Sequence, residues 1–288
     1  MKKTYVRRRG KLLTRTLLMV LALLMLVPVV VTMLYSFFSP GEIKAFMGTR
    51  GKYDNQIWMA VKLSPQVFSL SQYYEILIKD MSILHMFVNS VIYAVMILLG
   101  QAFVIPMMAY GLSRFRFRGR DAIFFGIIML MLLPFQVTMV PNVLTLRSLG
   151  LLNTVWAVIL PMWFSPFYIF LIRQFMLGLP NELLEAGQVD GAGTIRCYFH
   201  IVLPVCRPII GAAVALSFAD CWNLVEQPMT YLSQRQELQP LSVMFNQLAS
   251  QSTGIEFAGA ALYILPALFI YLYFLKDILA GVQLTELK

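Results

Sequence analysis

The chain has 288 residues, of which 59% are hydrophobic and only 13% are charged. A soluble domain is about half apolar and about a quarter charged, so this composition excludes an ordinary soluble protein and indicates one that crosses a membrane several times. The formal net charge of +9 does not require a nucleic-acid partner. The basic residues cluster beside apolar stretches, where membrane topology accounts for them.

The first apolar run covers residues 17–38 and follows a basic segment, residues 1–16. Its length of about 20 residues is enough to span a bilayer, and no small-x-small cleavage site follows it. We therefore predict an uncleaved first transmembrane helix, kinked at Pro28, rather than a signal peptide. The basic segment is predicted to lie in the cytoplasm.

Five further apolar runs predict spans within a core of residues 85–275, near residues 87–112, 122–140, 155–172, 202–221 and 258–275. The short loop of residues 113–120 is strongly basic, and Lys and Arg accumulate in cytoplasmic loops. Six spans therefore place this loop and both termini in the cytoplasm. Residues 276–288 then form a cytoplasmic tail, and residues 39–84 lie outside.

The predicted external segment, residues 39–84, is too long for a tight turn. It contains Trp58, Tyr73 and Tyr74 among several glycines and prolines. Two interpretations stay open: a small lobe that contacts an external partner, or a surface loop whose aromatic residues lie at the membrane interface.

A polar-rich stretch, residues 179–204, separates two of the later spans. Pro180 is predicted at the first helical position, where its missing N–H costs nothing. Glu182 and Glu185 follow, and acidic residues suit the positive end of a helix. The stretch is thus predicted to begin with a short helix.

Glycines in the same stretch predict that this helix ends after Asp190. Gly191 and Gly193 suit the left-handed cap, because a residue without a Cβ adopts it at no steric cost. Thr194 is predicted to cap a second short helix. The result is a helix–turn–helix elbow between two spans, although an ordinary interfacial loop has a similar composition.

The elbow resembles the EAA loop of ABC-importer permeases through Glu185-Ala186-Gly187, Asp190-Gly191-Ala192 and Ile201-Val202-Leu203-Pro204. In that family this loop is the cytoplasmic coupling helix, which docks in a groove of the ATPase subunit. Gly187 departs from the pattern, since the family has a second alanine there. The resemblance implies that the ATPase-coupling residues are Glu182, Glu185, Ala186, Gly187, Asp190, Gly191 and Ala192.

A second element, from Ala109 to Gly119, resembles the family's Tyr-x-Leu-x-Arg-Phe-x-Phe-x-Gly motif. Further matches follow in the order expected of the carbohydrate-uptake subfamily, and the resemblance covers residues 87–275. It implies an all-α membrane protein with about six transmembrane helices, the type I ABC importer permease fold, similar to the maltose-type permease without the large periplasmic domain. The last residues, Gly281 to Lys288, do not match the family's usual tail.

The same resemblance implies the function and the partners. The chain is expected in the bacterial cytoplasmic (inner) membrane, where it would translocate a sugar or oligosaccharide. Its expected partners are a paralogous permease, two ABC ATPase subunits, an extracytoplasmic solute-binding protein and membrane lipid.

The sequence contains no phosphate-binding Gly-x4-Gly-Lys-Ser/Thr motif, since Gly51-Lys52 is followed by Tyr53. ATP and Mg²⁺ are therefore expected in the partner ATPase, and no cofactor is expected on this chain. No pattern of His or Cys residues predicts a metal site, and no nucleophile–base pattern predicts an enzyme.

Polar residues within predicted spans are candidates for the substrate pathway, because hydrocarbon contains no water to satisfy them. Asp220 beside Trp222 would suit a sugar, whose hydroxyls bond to a carboxylate while its ring stacks on indole. The pathway candidates are Asn89, Gln136, Asn142, Asp220, Trp222 and Asn223. Each could instead form hydrogen bonds between helices.

An ion-coupled secondary transporter of a small polar solute is the alternative function. It would require buried ionisable residues and inverted repeats. The chain has few of the former and no obvious sign of the latter.

Overall fold

The computed structural model describes residues 2–47, 62, 64–79, 81–248 and 255–286. In these residues the regular secondary structure is entirely helical. The α-helices, numbered in chain order, are α1 Lys2–Tyr35, α2 Pro40–Met47, α3 Ser71–Tyr74, α4 Met81–Arg114, α5 Arg120–Leu132, α6 Phe135–Ser148, α7 Val155–Trp163, α8 Pro166–Leu177, α9 Glu182–Val189, α10 Thr194–Cys197, α11 Leu203–Val205, α12 Arg207–Trp222, α13 Glu226–Tyr231, α14 Leu241–Leu248 and α15 Glu256–Glu286. Two π-helical turns, Glu75–Lys79 and Tyr198–Val202, and one 3₁₀ turn, Gln236–Leu238, connect them.

Among the described residues, four helical segments are long and apolar enough to cross a membrane: Thr14–Tyr35, Met81–Arg114, Val155–Leu177 and Glu256–Ile278. Two bent pairs raise the number to six if each pair is one span, Arg120–Leu132 with Phe135–Ser148 and Thr194–Val205 with Arg207–Trp222. The predicted all-α fold with about six spans is confirmed in this form.

The bent pairs correct the straight spans that were predicted near residues 122–140 and 202–221. The first pair bends by 110° and the second by 72°. Leu133 has extended backbone angles (φ −78°, ψ 125°), as expected for a residue that precedes a proline, here Pro134. Pro28, in contrast, lies inside α1 without ending it.

One compact unit contains the described residues of 1–84 and 247–264. Its core is formed by Tyr35, Phe38 and Ile43, against which Phe257 packs. The buried Gln72 side chain donates hydrogen bonds to the carbonyl oxygens of Tyr35 (2.8 Å) and Phe38 (2.7 Å). The predicted external segment falls within this unit, although Trp58 lies outside the described residues.

The second unit contains the described residues of 85–246 and 265–288. Its core is a cluster of buried side chains from α4, α5, α8, α12 and the π-helical turn Tyr198–Val202. Ala109, Ile169, Met176 and Cys206, which precedes α12, are fully enclosed. α15 continues to Glu286, so the predicted tail, residues 276–288, begins within a helix. The sides of the membrane on which the loops and termini lie stay predictions.

Candidate functional site: the elbow and the polar residues of the spans

The polar stretch folds as two helical arms joined by a tight turn, as the glycine pattern predicted. The first arm is α9, and the second consists of α10 and the π-helical turn Tyr198–Val202 that follows it. Gly191 adopts the left-handed conformation with φ +80°. The amide of Ala192 donates to the carbonyl of Gly187 (2.9 Å) and closes the turn.

The starts of both arms differ from the prediction. Asn181 is the N-cap of α9, so Pro180 precedes the helix instead of opening it. Gly193 is the N-cap of α10 with extended backbone angles (φ −68°, ψ 167°), so its predicted left-handed conformation is wrong. Thr194 is the first residue of α10 and not its cap. The Asn181 side chain bonds to Arg114, and this tertiary contact replaces a local cap.

Gly187 lies where the two arms touch. It is buried, and its neighbours across the elbow are the side chains of Cys197 and Ile201. A Cβ at this position would require the end of the Ile201 side chain to move. The departure from the family's alanine therefore lies where the two arms of the elbow face each other.

The outer surface of the elbow is exposed and combines carboxylates with apolar side chains. Glu182, Glu185, Ala186, Asp190 and Gly191 are all exposed, and Ala192 is half-buried. Val189 is 88% exposed and Ile195 is 75% exposed. Apolar side chains presented beside charges are typical of a protein-binding surface, and the sequence analysis did not identify these two.

Arg114, the last residue of α4, holds the base of the elbow. Its Nη1 donates to Oδ1 of Asn181 (2.7 Å), and its Nη2 donates to the carbonyl oxygens of Leu179 (2.9 Å) and Met176. The two motifs that carry the family resemblance are therefore in direct contact. Sequence reasoning did not predict this, because the partners are more than 60 residues apart.

Some polar residues of the spans form hydrogen bonds between elements. Asn89 donates to the carbonyl oxygens of Glu237 (2.8 Å) and Gln239 (3.2 Å). Trp222 is 2% exposed and packs against Phe87 and Phe218. In this conformation its indole face is covered by protein and does not face a solute.

Asp220 and Asn223 are exposed at the end of α12. The hydroxyl of Tyr168 donates to Oδ2 of Asp220 at 2.5 Å. Nδ2 of Asn223 donates to the carbonyl oxygen of Ala219 (2.8 Å). The carboxylate thus has one protein partner and an open side, while the predicted stacking partner Trp222 is enclosed.

Gln136 and Asn142 lie on α6 and contact α13. Nε2 of Gln136 donates to Oε1 of Glu226 (3.1 Å). Asn142 forms a hydrogen bond with the Tyr231 side chain, whose pKa is raised by burial and lowered to a smaller extent by this bond. Glu226 is an exposed carboxylate that sequence reasoning did not single out, because it lies outside the predicted spans.

The model of the family described as "Binding-protein-dependent transport system inner membrane component" matches residues 102–280. This chain belongs to that family. The resemblance to ABC-importer permeases is confirmed, and the matched residues include the elbow and the end of α4.

Curated relatives of this inner membrane component are permease proteins of carbohydrate transport systems. It is 28% identical to the arabinooligosaccharides transport system permease protein AraQ of Bacillus subtilis, over 94% of this chain and 93% of that one. It is 29% identical to the diacetylchitobiose uptake system permease protein NgcG of Streptomyces coelicolor, over 96% and 88%. A crystallised bacterial ABC transporter that imports the acidic polysaccharide alginate has a similar chain, with a TM-score of 0.78, 23% identity and coverage of 93% and 96%. The last likeness shows the fold.

Membership of this family supports the importer over the ion-coupled alternative. The relatives of this binding-protein-dependent inner membrane component are permease proteins of transport systems, as the predicted permease role requires.

Proposed function

We propose that this chain is the transmembrane subunit of an importer that moves a sugar or oligosaccharide across the cytoplasmic membrane. An extracytoplasmic binding protein delivers the solute, and ATP hydrolysis in a separate ATPase subunit drives the movement. The observation that carries the proposal is the exposed elbow, whose carboxylates and apolar side chains form a surface for another protein. Carbohydrate transport by AraQ and NgcG supports the substrate class.

The geometry of α4 supports a cytoplasmic elbow. Asn89 near its start contacts the loop at Glu237, and Arg114 at its end contacts the base of the elbow. At about 1.5 Å per residue these contacts are roughly 37 Å apart, more than the roughly 30 Å of a hydrocarbon core. The elbow end also carries the basic loop of residues 113–120. Basic loops favour the cytoplasm, so both termini are cytoplasmic in this proposal and the Glu237 loop is external.

Coupling proceeds through the elbow in this proposal. A paralogous permease supplies a second elbow, and each elbow docks on one of two ATPase subunits. ATP and Mg²⁺ bind those subunits, and closure of the ATPase dimer draws the elbows together. The permease pair then changes from an inward-facing to an outward-facing state as rigid bodies. The contact surface consists of Glu182, Glu185, Ala186, Gly187, Asp190, Gly191 and Ala192, with Gly187 acting through packing.

The substrate pathway includes the exposed carboxylate of Asp220, with Gln136 and Glu226 at the border of α6 and α13. A carboxylate accepts hydrogen bonds from sugar hydroxyls, and a side-chain amide can both accept and donate them. Hydrogen bonds to the ionised carboxylate are the stronger ones. Asn142 and Asn223 complete the set. Asn89 and Trp222 have protein partners in this conformation, so their participation requires the second state of the cycle.

The test is purification of the tagged chain from the membranes of its own host, followed by reconstitution in lipid vesicles. We expect an ABC ATPase and a second permease to co-purify. A panel of binding proteins loaded with different sugars and oligosaccharides should contain one that stimulates ATP hydrolysis. The proposal fails if no ATPase co-purifies and the chain alone moves a solute along an ion gradient.

A further inference from the structure

Two arginines connect the ends of α4 and α8, and each reaches the end of the other helix. Arg114, at the end of α4, donates to the carbonyl oxygens of Met176 and Leu179 and to Oδ1 of Asn181. Arg173, on α8, donates from Nε to the carbonyl oxygen of Leu112 in the last turn of α4 (3.1 Å). The contacts are therefore reciprocal.

The chemistry of helix ends explains why arginine suits both positions. The last four carbonyl groups of a helix have no partner within the helix, and a cation there also interacts favourably with the helix dipole. Leu112 and Met176 supply such carbonyl groups. The planar guanidinium of arginine can reach several acceptors at once, whereas the ammonium of lysine is a compact point charge.

Arg173 also connects a third helix. It is 6% exposed, and its guanidinium carbon lies 3.6 Å from the ring centroid of Phe124 on α5. Attraction between a cation and an aromatic ring strengthens when water is excluded. In Arg114 the two Nη atoms donate hydrogen bonds, whereas the buried Nε has no hydrogen-bond partner among the described residues. The position of its guanidinium is therefore determined by the acceptors at Met176, Leu179 and Asn181.

The location of these contacts matters because the link between α8 and the elbow is short and not helical. α8 ends at Leu177 and α9 begins at Glu182. If nothing held residues 178–181, a displacement of the elbow would be absorbed there by rotation of the backbone. Arg114 binds both the carbonyl of Leu179 within this link and the side chain of Asn181 at its end.

We propose that Arg114 and Arg173 form a reciprocal clamp that makes the elbow, α8 and the end of α4 move as one body. Both are positioning residues that act through the elbow, and neither contacts ATP or the solute. The inference rests on the proposed coupling role of the elbow. It adds the path by which a displacement of the elbow reaches two helices of the core.

The functional test compares Arg114→Lys with Arg116→Lys in the reconstituted complex. Both variants keep the charge of the basic loop, and Arg116 is an exposed neighbour. We expect Arg114→Lys to assemble with the ATPase and to hydrolyse ATP, but the solute moved per ATP should fall about tenfold. Arg116→Lys should match the parent chain. Arg173→Lys should resemble Arg114→Lys.

A second measurement needs only this chain. Spin labels on Arg118→Cys and Gln188→Cys report the distance between the basic loop and the elbow in lipid nanodiscs, and the three native cysteines are buried. We expect Arg114→Lys to broaden the distance distribution and Asn181→Ala, which removes one bond, to broaden it less. Unchanged distributions in both variants would overturn the clamp. This result is independent of whether an ATPase co-purifies, so failure of the clamp and failure of the proposed function are distinguishable.

Discussion

The position that a Cβ of residue 187 would occupy lies 2.5 Å from Cδ1 of Ile201, and Gly187 has no Cβ to place there. Carbon atoms that pack well are about 3.5–4.0 Å apart, so a Cβ at residue 187 would require the end of the Ile201 side chain to move. Sγ of Cys197 lies 3.4 Å from the same position. The elbow is thus a packed unit rather than two independent helices, and its two arms should move together.

Gly187→Ala should change stability little by itself. Alanine favours a helix over glycine by about 1 kcal/mol, but its methyl group collides with the end of the Ile201 side chain, so the two effects offset each other. Ile201→Val removes Cδ1 and with it the collision. The double variant Gly187→Ala, Ile201→Val should therefore be more thermostable than Ile201→Val alone. Thermal unfolding of the purified chain in detergent measures the difference, and equal midpoints for these two variants would contradict the packing argument.

Glu185→Lys should abolish the ATP hydrolysis that a loaded binding protein stimulates, while the variant still inserts in the membrane. Glu185 is exposed on the first arm, and reversing its charge places repulsion in the proposed contact with the ATPase. Glu237→Lys is the matched control, because Glu237 is exposed at the opposite end of α4. The measurement is ATPase activity of reconstituted complexes. Normal stimulation in Glu185→Lys would remove this residue from the coupling surface.

Gly100→Ala should destabilise the chain by about 1–3 kcal/mol, the usual cost of overpacking. A Cβ at residue 100 would collide with the ring of Trp163, whose Nε1 donates to the carbonyl oxygen of Met96 (3.0 Å). Gly126→Ala is the matched control, since a Cβ there meets no atom within 4 Å. It should leave the midpoint of thermal unfolding unchanged or raise it. The packing of α4 on α7 would be in doubt if both variants unfolded at the same temperature.

Asp220→Asn should slow solute transport about tenfold while the ATPase still co-purifies, since a hydrogen bond to a charged group contributes about 1.5–3 kcal/mol. Tyr168→Phe removes the hydroxyl that donates to Asp220 but keeps the carboxylate. It should therefore slow transport less than Asp220→Asn does. Uptake of labelled oligosaccharide by vesicles measures both. Equal losses in the two variants would mean that Asp220 serves only as the partner of Tyr168.

Several features could be predicted because they depend on short stretches of sequence. Apolar runs of about 20 residues identify spans wherever they occur, so four of the six predicted spans overlap helical segments that are long and apolar enough to cross a membrane. The other two fall on bent helix pairs. The end of the first arm at Gly191 was predicted for a similar reason, since a left-handed residue after a helix favours glycine. The parts of the elbow that contact an ATPase stay predictions, as does the substrate pathway.

Other features could not be predicted from the sequence because they depend on residues that are distant in it. The burial of Trp222 follows from its packing on Phe87, and no local pattern shows which face of an apolar helix turns inward. The bend of 110° between α5 and α6 is another case. Proline at residue 134 indicates a break, but the angle depends on what the two helices pack against.

By itself, the sequence determined that this protein is a helical membrane component with an elbow of the ABC-importer type, because hydropathy and a run of characteristic residues are both carried locally. Only the tertiary structure decided that Arg114 of α4 bonds to the end of α8 and the link after it, and that Arg173 of α8 bonds to the end of α4. The same holds for the position of Gly187 against Ile201. The physical reason is the same in each case. A hydrogen bond or a close packing contact depends on where two backbones meet, and that meeting point is set by the packing of the whole unit.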